Sequence, residues 1–199
     1  MFITLAEAER LSQALADQIL KSFGRPDLLV GIANGAILPT KIAADHLGVP
    51  YEIVRVRRQG SRIKQRLVFI KKAFRIPGRA MTFGPLMWFW RKFQDRYSSL
   101  EQTDDAFNFS INGRTVVLID DEIVTGASVK YVRDELIARG CASVRIAVIG
   151  WYRGKGDSGD FAPDTYLIAE HKFYPWSHNS PDYSAFESWL GENNLRLWQ

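Results

Sequence analysis

The sequence predicts an α/β protein with a mainly parallel central sheet of about five strands flanked by helices. Short apolar segments typical of buried strands, at 28–32, 115–119 and 143–149, alternate with amphipathic segments typical of helices. This alternation indicates a parallel sheet, because two parallel strands need a crossover connection, which is usually a helix. A length of 199 residues with 46% hydrophobic residues is sufficient for one domain with a buried core.

Capping residues delimit the predicted helices. Thr4 and Glu7 form a capping box, in which each side chain bonds the other residue's backbone N–H, so a first helix is expected from Leu5 to Lys21. Gly48 and Gly140 are placed to end two later helices. The other predicted elements are the strand Leu28–Ile32, a helix through Lys41 to His46, the strands Tyr51–Arg57, Leu67–Ile70 and Thr115–Ile119, the helix Ala127–Ala138 and the strand Ser143–Ile149.

The segment Pro85 to Leu100 interrupts this alternation. Its large apolar residues recur at helical spacing, which predicts an inserted amphipathic helix within an insertion of about 71–112. Packing of this stripe against the core or across a subunit interface is favoured over contact with a membrane surface. The stripe consists of Leu86, Phe89, Trp90, Phe93 and Tyr97.

Charge is distributed unevenly along the chain. The net charge is +4, yet the stretch from Arg55 to Arg96 holds thirteen basic residues and one acid, Asp95, and so carries +12, while the rest carries −8. Such a segment suits an anionic partner, whether phosphate, nucleic acid or an acidic protein surface. Solvated basic faces of surface elements explain the pattern equally well.

Composition excludes several classes of protein. The longest uncharged apolar run, Met81–Trp90, is shorter than the ~20 residues of a membrane-spanning helix. The charged N-terminus lacks the apolar region of a signal peptide, so a cytoplasmic location is expected. The single cysteine, Cys141, excludes an intramolecular disulfide framework, and the three histidines show no metal-ligand spacing. Any metal is therefore expected to arrive with a ligand.

The strongest functional signal is the segment Val116–Ser128, VVLIDDEIVTGAS. Asp120 and Asp121 follow a buried strand, and ligands of parallel sheets bind above the carboxyl ends of the strands. The turn and helix that follow offer backbone N–H groups and hydroxyls to a phosphate, while the carboxylates can accept bonds from sugar hydroxyls. Together these features indicate a site for a sugar 5-phosphate. The alternative is a receiver-like or Rossmann-like domain whose acids bind Mg²⁺ or cap the helix.

This segment resembles the phosphoribosyl pyrophosphate (PRPP) signature of the type I phosphoribosyltransferases: a hydrophobic strand, two acids, two mostly apolar residues, Thr-Gly, a small residue and Ser or Thr. The stretch Asp27–Ala36, followed by Pro39 and Leu47–Pro50, is similar to the first strand and pyrophosphate loop of that family. The resemblance implies the family's Rossmann-like fold in a single domain. Its expected parts are a core of about 1–60 and 110–150, the insertion, and a small C-terminal hood of about 151–199.

The resemblance implies transfer of ribose 5-phosphate from Mg²⁺-bound PRPP to a nucleophile, commonly a nitrogenous base, with release of pyrophosphate. Asp120 and Asp121 are implied to bind the ribose hydroxyls, to be available to Mg²⁺, and to stabilise an oxocarbenium-like transition state. The implied 5-phosphate site is Thr125, Gly126, Ala127 and Ser128. The implied pyrophosphate site is Ala33, Asn34 and Gly35, where the family often has a non-proline cis peptide.

The region that the resemblance makes a flexible lid is basic. Its candidates to clamp the leaving group and exclude water are Arg57, Arg58, Arg62 and Lys64. A solvated loop is the alternative for each of them. Asn34 departs from the family's usual Arg/Lys-Gly-Gly loop, so positive charge at the pyrophosphate must come from elsewhere.

The segment Pro163–Trp176 resembles the hood of the 6-oxopurine phosphoribosyltransferases, where an aromatic residue stacks on the base. Phe173 is the first candidate for that ring, with His171 and Trp176 as rivals. Lys172 is placed to reach an exocyclic oxygen of the base. Packing of these aromatic residues in the core is an equally good explanation.

Departures from the family pattern leave the acceptor open. Val124 stands where the purine enzymes carry an Asp that acts as general base or bonds the base, and Ala162 replaces a lysine. Glu122 is expected to point away and not to substitute. The acceptor is therefore a purine-like base or an unusual one. A regulatory or RNA-binding protein that binds PRPP or nucleotide without efficient turnover is the alternative class. A homodimer is expected from the resemblance and the apolar stripe.

Overall fold

The computed structural model describes residues 2–58, 100–101, 107–123, 125–151 and 161–198. The chain forms two compact units, Met1–Arg55 with Asp105–Gln199, and Val56–Asp104. The strands are β1 Leu28–Ile32, β2 Tyr51–Val54, β3 Arg57–Arg58, β4 Leu100–Glu101, β5 Thr115–Ile123, β6 Ser143–Trp151 and β7 Thr165–Ile168. The helices are α1 Leu5–Phe23, α2 Ile37–Leu47, α3 Ala127–Ala138 and α4 Tyr183–Glu192.

The first unit is built on a five-stranded sheet in the order β2-β1-β5-β6-β7, and every neighbouring pair is parallel. The predicted α/β class is therefore confirmed. All five residues of β1 are buried, as expected for a strand covered on both faces. Val30 in β1 lies opposite Glu52 in β2 and Leu118 in β5. The carboxyl ends of β1 and β5 consequently meet at the same edge of the sheet.

Helices cover both faces of this sheet. Val117 and Ile119 of β5 belong to the buried cluster that includes residues of α1 and α2. Val116 and Leu118 are also buried, and they point to the opposite face because side chains alternate along a strand. Helix α3 contacts β5 and β6, and its Val132 is fully buried. None of the helices in the described ranges has the length and hydropathy to cross a bilayer.

The ends of the helices follow the capping residues. The hydroxyl oxygen of Thr4 accepts a hydrogen bond from the backbone N–H of Glu7 at 3.2 Å. Helix α1 begins at Leu5, directly after Thr4, as predicted. Gly48 follows α2 in the left-handed conformation, φ +62°, which ends the helix. Helix α3 has the predicted bounds. Helix α2 begins earlier than expected because it starts directly after the turn that follows β1.

In the second unit, β3 and β4 form a two-stranded antiparallel sheet in which Arg57 pairs with Glu101 and Arg58 with Leu100. The predicted strand Leu67–Ile70 lies outside the described residues. So does the predicted helix at 85–100, except for Leu100, which belongs to β4. The predicted strand Tyr51–Arg57 is divided into β2 and β3.

Candidate active site

Two adjacent strands bring the predicted acids and the predicted pyrophosphate loop together. The loop Ala33–Gly35 follows β1, and Asp120 and Asp121 lie in the last part of the neighbouring strand β5. The contact is direct, since a Cβ added at Gly35 would lie 2.3 Å from Oδ2 of Asp121. Only glycine therefore allows the loop backbone to lie against this carboxylate.

The loop presents backbone donors at this edge. Its Ala33–Asn34 peptide bond is cis, as the resemblance implied. The N–H of Ala33 donates to the carbonyl of Val54 at 2.9 Å, and the N–H of Ala36 donates to Ile32 at 3.1 Å. Within the part of the chain that the structure describes, the N–H groups of Asn34 and Gly35 make no such bond. They are the loop donors available to an anion.

The side chain of Asn34 is held by the segment around Trp198. The backbone N–H of Trp198 donates to Oδ1 of Asn34 at 2.9 Å, and Nδ2 of Asn34 donates to the backbone carbonyl of Trp198 at 3.0 Å. The guanidinium of Arg55 lies 6.0 Å from the centroid of the Trp198 ring. This arrangement brings a cation near a loop that lacks the family's basic residue, and no sequence pattern indicated it.

Asp121 is tied to the hood as well as to the loop. Its Oδ2 accepts a hydrogen bond from Nε1 of Trp176 at 2.6 Å, and its Oδ1 accepts one from the N–H of Glu122 at 2.7 Å. Burial raises the pKa of Asp121, and these two hydrogen bonds oppose that effect. Oδ1 of Asp120 accepts the N–H of Asp121 at 3.0 Å. Strand pairing continues past both acids, because Asp120 lies opposite Val148 in β6 and Glu122 lies opposite Gly150.

The predicted 5-phosphate turn leads into α3 at the same edge. Gly126 has φ +72° and precedes the helix without a side-chain cap, so the first N–H groups of α3 lack a capping side chain. A Cβ on Gly126 would come within 3.0 Å of the Phe161 side chain, so this position also requires glycine. Thr125 is exposed and Ser128 is half-buried. Val124 lies outside the described residues.

Glu122 forms a pair with His171 that the sequence did not predict. Nδ1 of His171 lies 2.9 Å from Oε1 and 2.8 Å from Oε2 of Glu122. The Glu122 side chain is 9% exposed and the His171 side chain 48%. Burial raises the pKa of Glu122, and the hydrogen bond with His171 opposes that effect. The expectation that Glu122 would point away is wrong, because its carboxylate is directed to the hood.

The hood contains the predicted base-binding residues in different environments. Phe173 is 42% exposed, its ring lies 5.3 Å from that of His171 at 70°, and its carbonyl accepts the N–H of Ile3 at 2.9 Å. Nζ of Lys172 lies 2.7 Å from Oε2 of Glu170. The hood thus includes the N-terminal residues, and Phe173 remains open to solvent.

Trp176 is already engaged within the protein. Its ring stacks on Tyr174 with centroids 4.9 Å apart and lies edge-on to Phe186, and its N–H bonds Asp121. These contacts give it a structural role beside the acids, and its predicted contact with the base stays a prediction. The Tyr174 hydroxyl is buried and has no hydrogen-bond partner among the described residues. Burial raises the pKa of this phenol, and the charge of Asp121 adds to the effect.

The arrangement suits a metal that arrives with phosphates. The described residues contain no group of three or more side chains able to hold an ion. Mg²⁺ bound to a nucleotide-like substrate usually needs only one or two carboxylates, since phosphate oxygens and water complete its coordination. Asp120 and Asp121, next to the loop Ala33–Gly35, are the described carboxylates that would hold such an ion.

The lid candidates are only partly described. Arg57 and Arg58 form β3, and the structure gives their backbone pairing. Arg62 and Lys64 lie outside the described residues. All four therefore remain predictions as lid residues.

A Rossmann-like parallel sheet with a glycine-containing loop after β1, two acids in β5 and a helix without a side-chain cap after the turn defines the fold of the type I phosphoribosyltransferases. The model of the phosphoribosyl transferase domain matches residues 4–166, and the chain belongs to this family. It is a member of the type I phosphoribosyltransferase superfamily, and its fold is similar to that of purine phosphoribosyltransferases. The family membership predicted from the two motifs is confirmed.

Individual relatives agree at the level of the fold. The chain is 42% identical over 69 residues to an orotate phosphoribosyltransferase of Phenylobacterium zucineum (strain HLK1), a match to 35% of this chain and 32% of that protein. A purine phosphoribosyltransferase from Pyrococcus horikoshii Ot3 superimposes with a TM-score of 0.61 at 18% identity, over 90% of this chain and 95% of the other. The Helicobacter pylori xanthine-guanine-hypoxanthine enzyme gives 0.58 at 13% identity, over 94% and 98%.

Proposed function

We propose that this protein transfers ribose 5-phosphate from PRPP to a nitrogenous base and releases pyrophosphate. The observation that carries the proposal is the contact of Gly35 with Asp121, which joins backbone donors suited to pyrophosphate to carboxylates suited to a ribose. The start of α3, beyond Gly126, adds donors suited to a second phosphate. PRPP carries these three groups in this order.

The chemistry assigns a part to each group. As the bond between C1 and the pyrophosphate oxygen breaks, its electron pair leaves with pyrophosphate and positive charge develops on the ribose. Fixed carboxylates stabilise that charge because they need no reorganisation. We assign the ribose hydroxyls to Asp120 and Asp121, the second of which also accepts a hydrogen bond from Trp176. Mg²⁺ bound with PRPP would neutralise the charge of the leaving pyrophosphate. The pyrophosphate oxygens and these two acids would hold the ion.

We assign the two phosphate groups of PRPP to the residues predicted from the sequence. The pyrophosphate site is Ala33, Asn34 and Gly35, and the 5-phosphate site is Thr125, Gly126, Ala127 and Ser128. Backbone N–H groups supply most of the donors at both places, which suits a bound anion. Arg57, Arg58, Arg62 and Lys64 stay predictions as lid residues and as the source of the positive charge that the loop itself lacks.

A purine-like base is the proposed acceptor. Phe173 supports it, because an exposed ring in the hood is available for stacking, and Lys172 lies next to it in the sequence. Orotate is the second acceptor to test, since a relative that shares one segment of this chain is named for it. A homodimer, a cytoplasmic location and a part in purine salvage remain predictions.

Titration calorimetry with PRPP and Mg²⁺ tests the binding part of this proposal. Asp120→Asn is the informative variant, because Asp121 also bonds Trp176 and its loss would disturb the fold. We expect the wild type to bind PRPP and the variant to lose at least tenfold in affinity at an unchanged melting temperature. A pyrophosphate-release assay over hypoxanthine, guanine, adenine and orotate tests transfer. Binding without release for every base would support the regulatory alternative.

A further inference from the structure

We propose that His171, positioned by Glu122, accepts the proton of the acceptor's nucleophilic nitrogen during transfer. This inference rests on the proposed phosphoribosyl transfer and adds an acceptor-side group to it. The pair consists of a strand carboxylate and a hood histidine, which come together only in the folded chain.

The order of the strands puts this pair on the correct side of the reacting carbon. The pyrophosphate loop follows β1, which lies on one side of β5, while β6 and β7 lie on the other side. His171 follows β7 and reaches back to Glu122 in β5. Strands are about 4.8 Å apart, so the loop and the pair flank a ribose held above β5. A displacement requires the nucleophile to enter opposite the leaving group, which is the side where His171 lies.

The geometry also defines which nitrogen of His171 is the base. A carboxylate has no proton to donate, so Nδ1 carries the hydrogen that Glu122 accepts, and the lone pair of the neutral ring lies on Nε2. The Glu122 side chain is 9% exposed and its carboxylate is directed to Nδ1 of His171, while the His171 side chain is 48% exposed. The edge-on contact with Phe173 orients the ring further.

The proton and electron balance is complete without another reactant. The lone pair of the acceptor nitrogen forms the new bond to C1 as the pyrophosphate leaves with the electron pair of the old one. The proton of that nitrogen passes to Nε2 of His171, and the electrons of the N–H bond return to the nitrogen. The imidazolium that results lies against the Glu122 carboxylate, which stabilises its charge. Val124 has no group that can take this proton.

The test compares turnover with PRPP binding in His171→Ala and Glu122→Gln, using PRPP, Mg²⁺ and whichever of hypoxanthine, guanine, adenine or orotate the wild type uses best. For His171→Ala we expect kcat to fall about 100-fold or more, as for the loss of a general base. PRPP affinity should stay within twofold, and added imidazole should restore part of kcat. Glu122→Gln should lower kcat about tenfold at an unchanged KM for PRPP, and Glu122→Asp should recover part of that loss.

The chain offers a matched control in a second histidine–carboxylate pair. Nε2 of His46 in α2 lies 2.8 Å from Oδ1 of Asp17 in α1, and the His46 side chain is 41% exposed. His46→Ala should leave kcat within twofold of the wild type. A kcat of His171→Ala within threefold of the wild type, or a loss that imidazole does not relieve, would overturn this inference alone. Absence of transfer by the wild type would overturn the proposed function together with it.

Discussion

The indole N–H of Trp176 donates a hydrogen bond of 2.6 Å to Oδ2 of Asp121, and the same carboxylate lies against Gly35. One side chain of β5 therefore connects the loop after β1 with the hood after β7. Burial of this carboxylate removes water from it and raises its pKa. Its hydrogen bonds within the protein compensate for the lost hydration. Asp121 therefore has a structural part in the site, besides the catalytic part proposed for it.

Trp176→Phe should destabilise the protein and weaken its PRPP binding. Phenylalanine keeps the stacking on Tyr174 but removes the donor to Asp121, and loss of a partner for a buried acceptor costs about 1–3 kcal/mol. Urea denaturation measures the change in the free energy of unfolding. Trp189→Phe is the control, because Trp189 also packs on Phe186 but makes no side-chain hydrogen bond in the described ranges. Equal losses in the two variants would contradict the structural role of the bond.

Gly35→Ala should abolish the close approach of the pyrophosphate loop to β5. The added Cβ would lie 2.3 Å from Oδ2 and 2.8 Å from Oδ1 of Asp121, so either the loop or this carboxylate, which Trp176 also holds, must shift. We expect at least tenfold weaker binding of PRPP by calorimetry and a stability loss of about 1–3 kcal/mol. Gly191→Ala is the control, since nothing lies within 4 Å of its Cβ position in α4. That change should raise stability by up to about 1 kcal/mol, and unaltered PRPP binding by Gly35→Ala would disprove the contact's role.

Asp27→Asn should lower the melting temperature by a few degrees at neutral pH and have less effect in acid. Oδ2 of Asp27 accepts the N–H of Thr115 at 2.8 Å and its hydroxyl at 2.7 Å, which links the starts of β1 and β5. Two hydrogen bonds lower the pKa of Asp27, and the bond from the Thr115 backbone N–H has a larger effect than the bond from the Thr115 hydroxyl.

The direction of this pH dependence follows from the lowered pKa of Asp27. The folded state favours the charged carboxylate, so its contribution is present above the ordinary pKa of Asp, about 3.9, and is lost as pH falls through the folded-state pKa. Melting curves of wild type and variant should converge below about pH 4. Thr115→Val, which keeps the N–H but removes the hydroxyl, should show a smaller loss than Asp27→Asn. A difference between wild type and Asp27→Asn that is constant from pH 7 to pH 3 would contradict this account.

Tyr174→Phe should leave the free energy of unfolding unchanged or raise it by up to about 1 kcal/mol. The hydroxyl of Tyr174 is buried without a partner in the described part of the chain, so its removal relieves a desolvation cost. The ring itself stays, and with it the stacking on Trp176. Urea denaturation provides the measurement. A loss greater than about 1 kcal/mol would mean that the hydroxyl has a bonded partner in solution.

Local signals were sufficient for the main elements of the first unit from α1 to β6, whereas the C-terminal helix α4 was not predicted. The uniformly apolar run Leu28–Ile32 predicted β1 with its observed bounds, because a strand covered on both faces needs no alternation. The capping pair Thr4 and Glu7 predicted the start of α1. The end of β5 was missed, since polar residues such as Asp120 do not mark a strand and are held in it by pairing with β6.

The sequence by itself determined the class of this protein, because the PRPP signature and the pyrophosphate loop are contiguous segments whose order and residue types specify their local chemistry. Only the tertiary structure decided which residues share the site. Glu122 and His171 lie 49 positions apart and Asp121 and Trp176 lie 55 apart, and these pairs meet only because β6 and β7 are placed on one side of β5. Asn34 and Trp198 are 164 positions apart. A single sequence carries no periodic or local signal for such pairs, since their contact depends on strand order and packing.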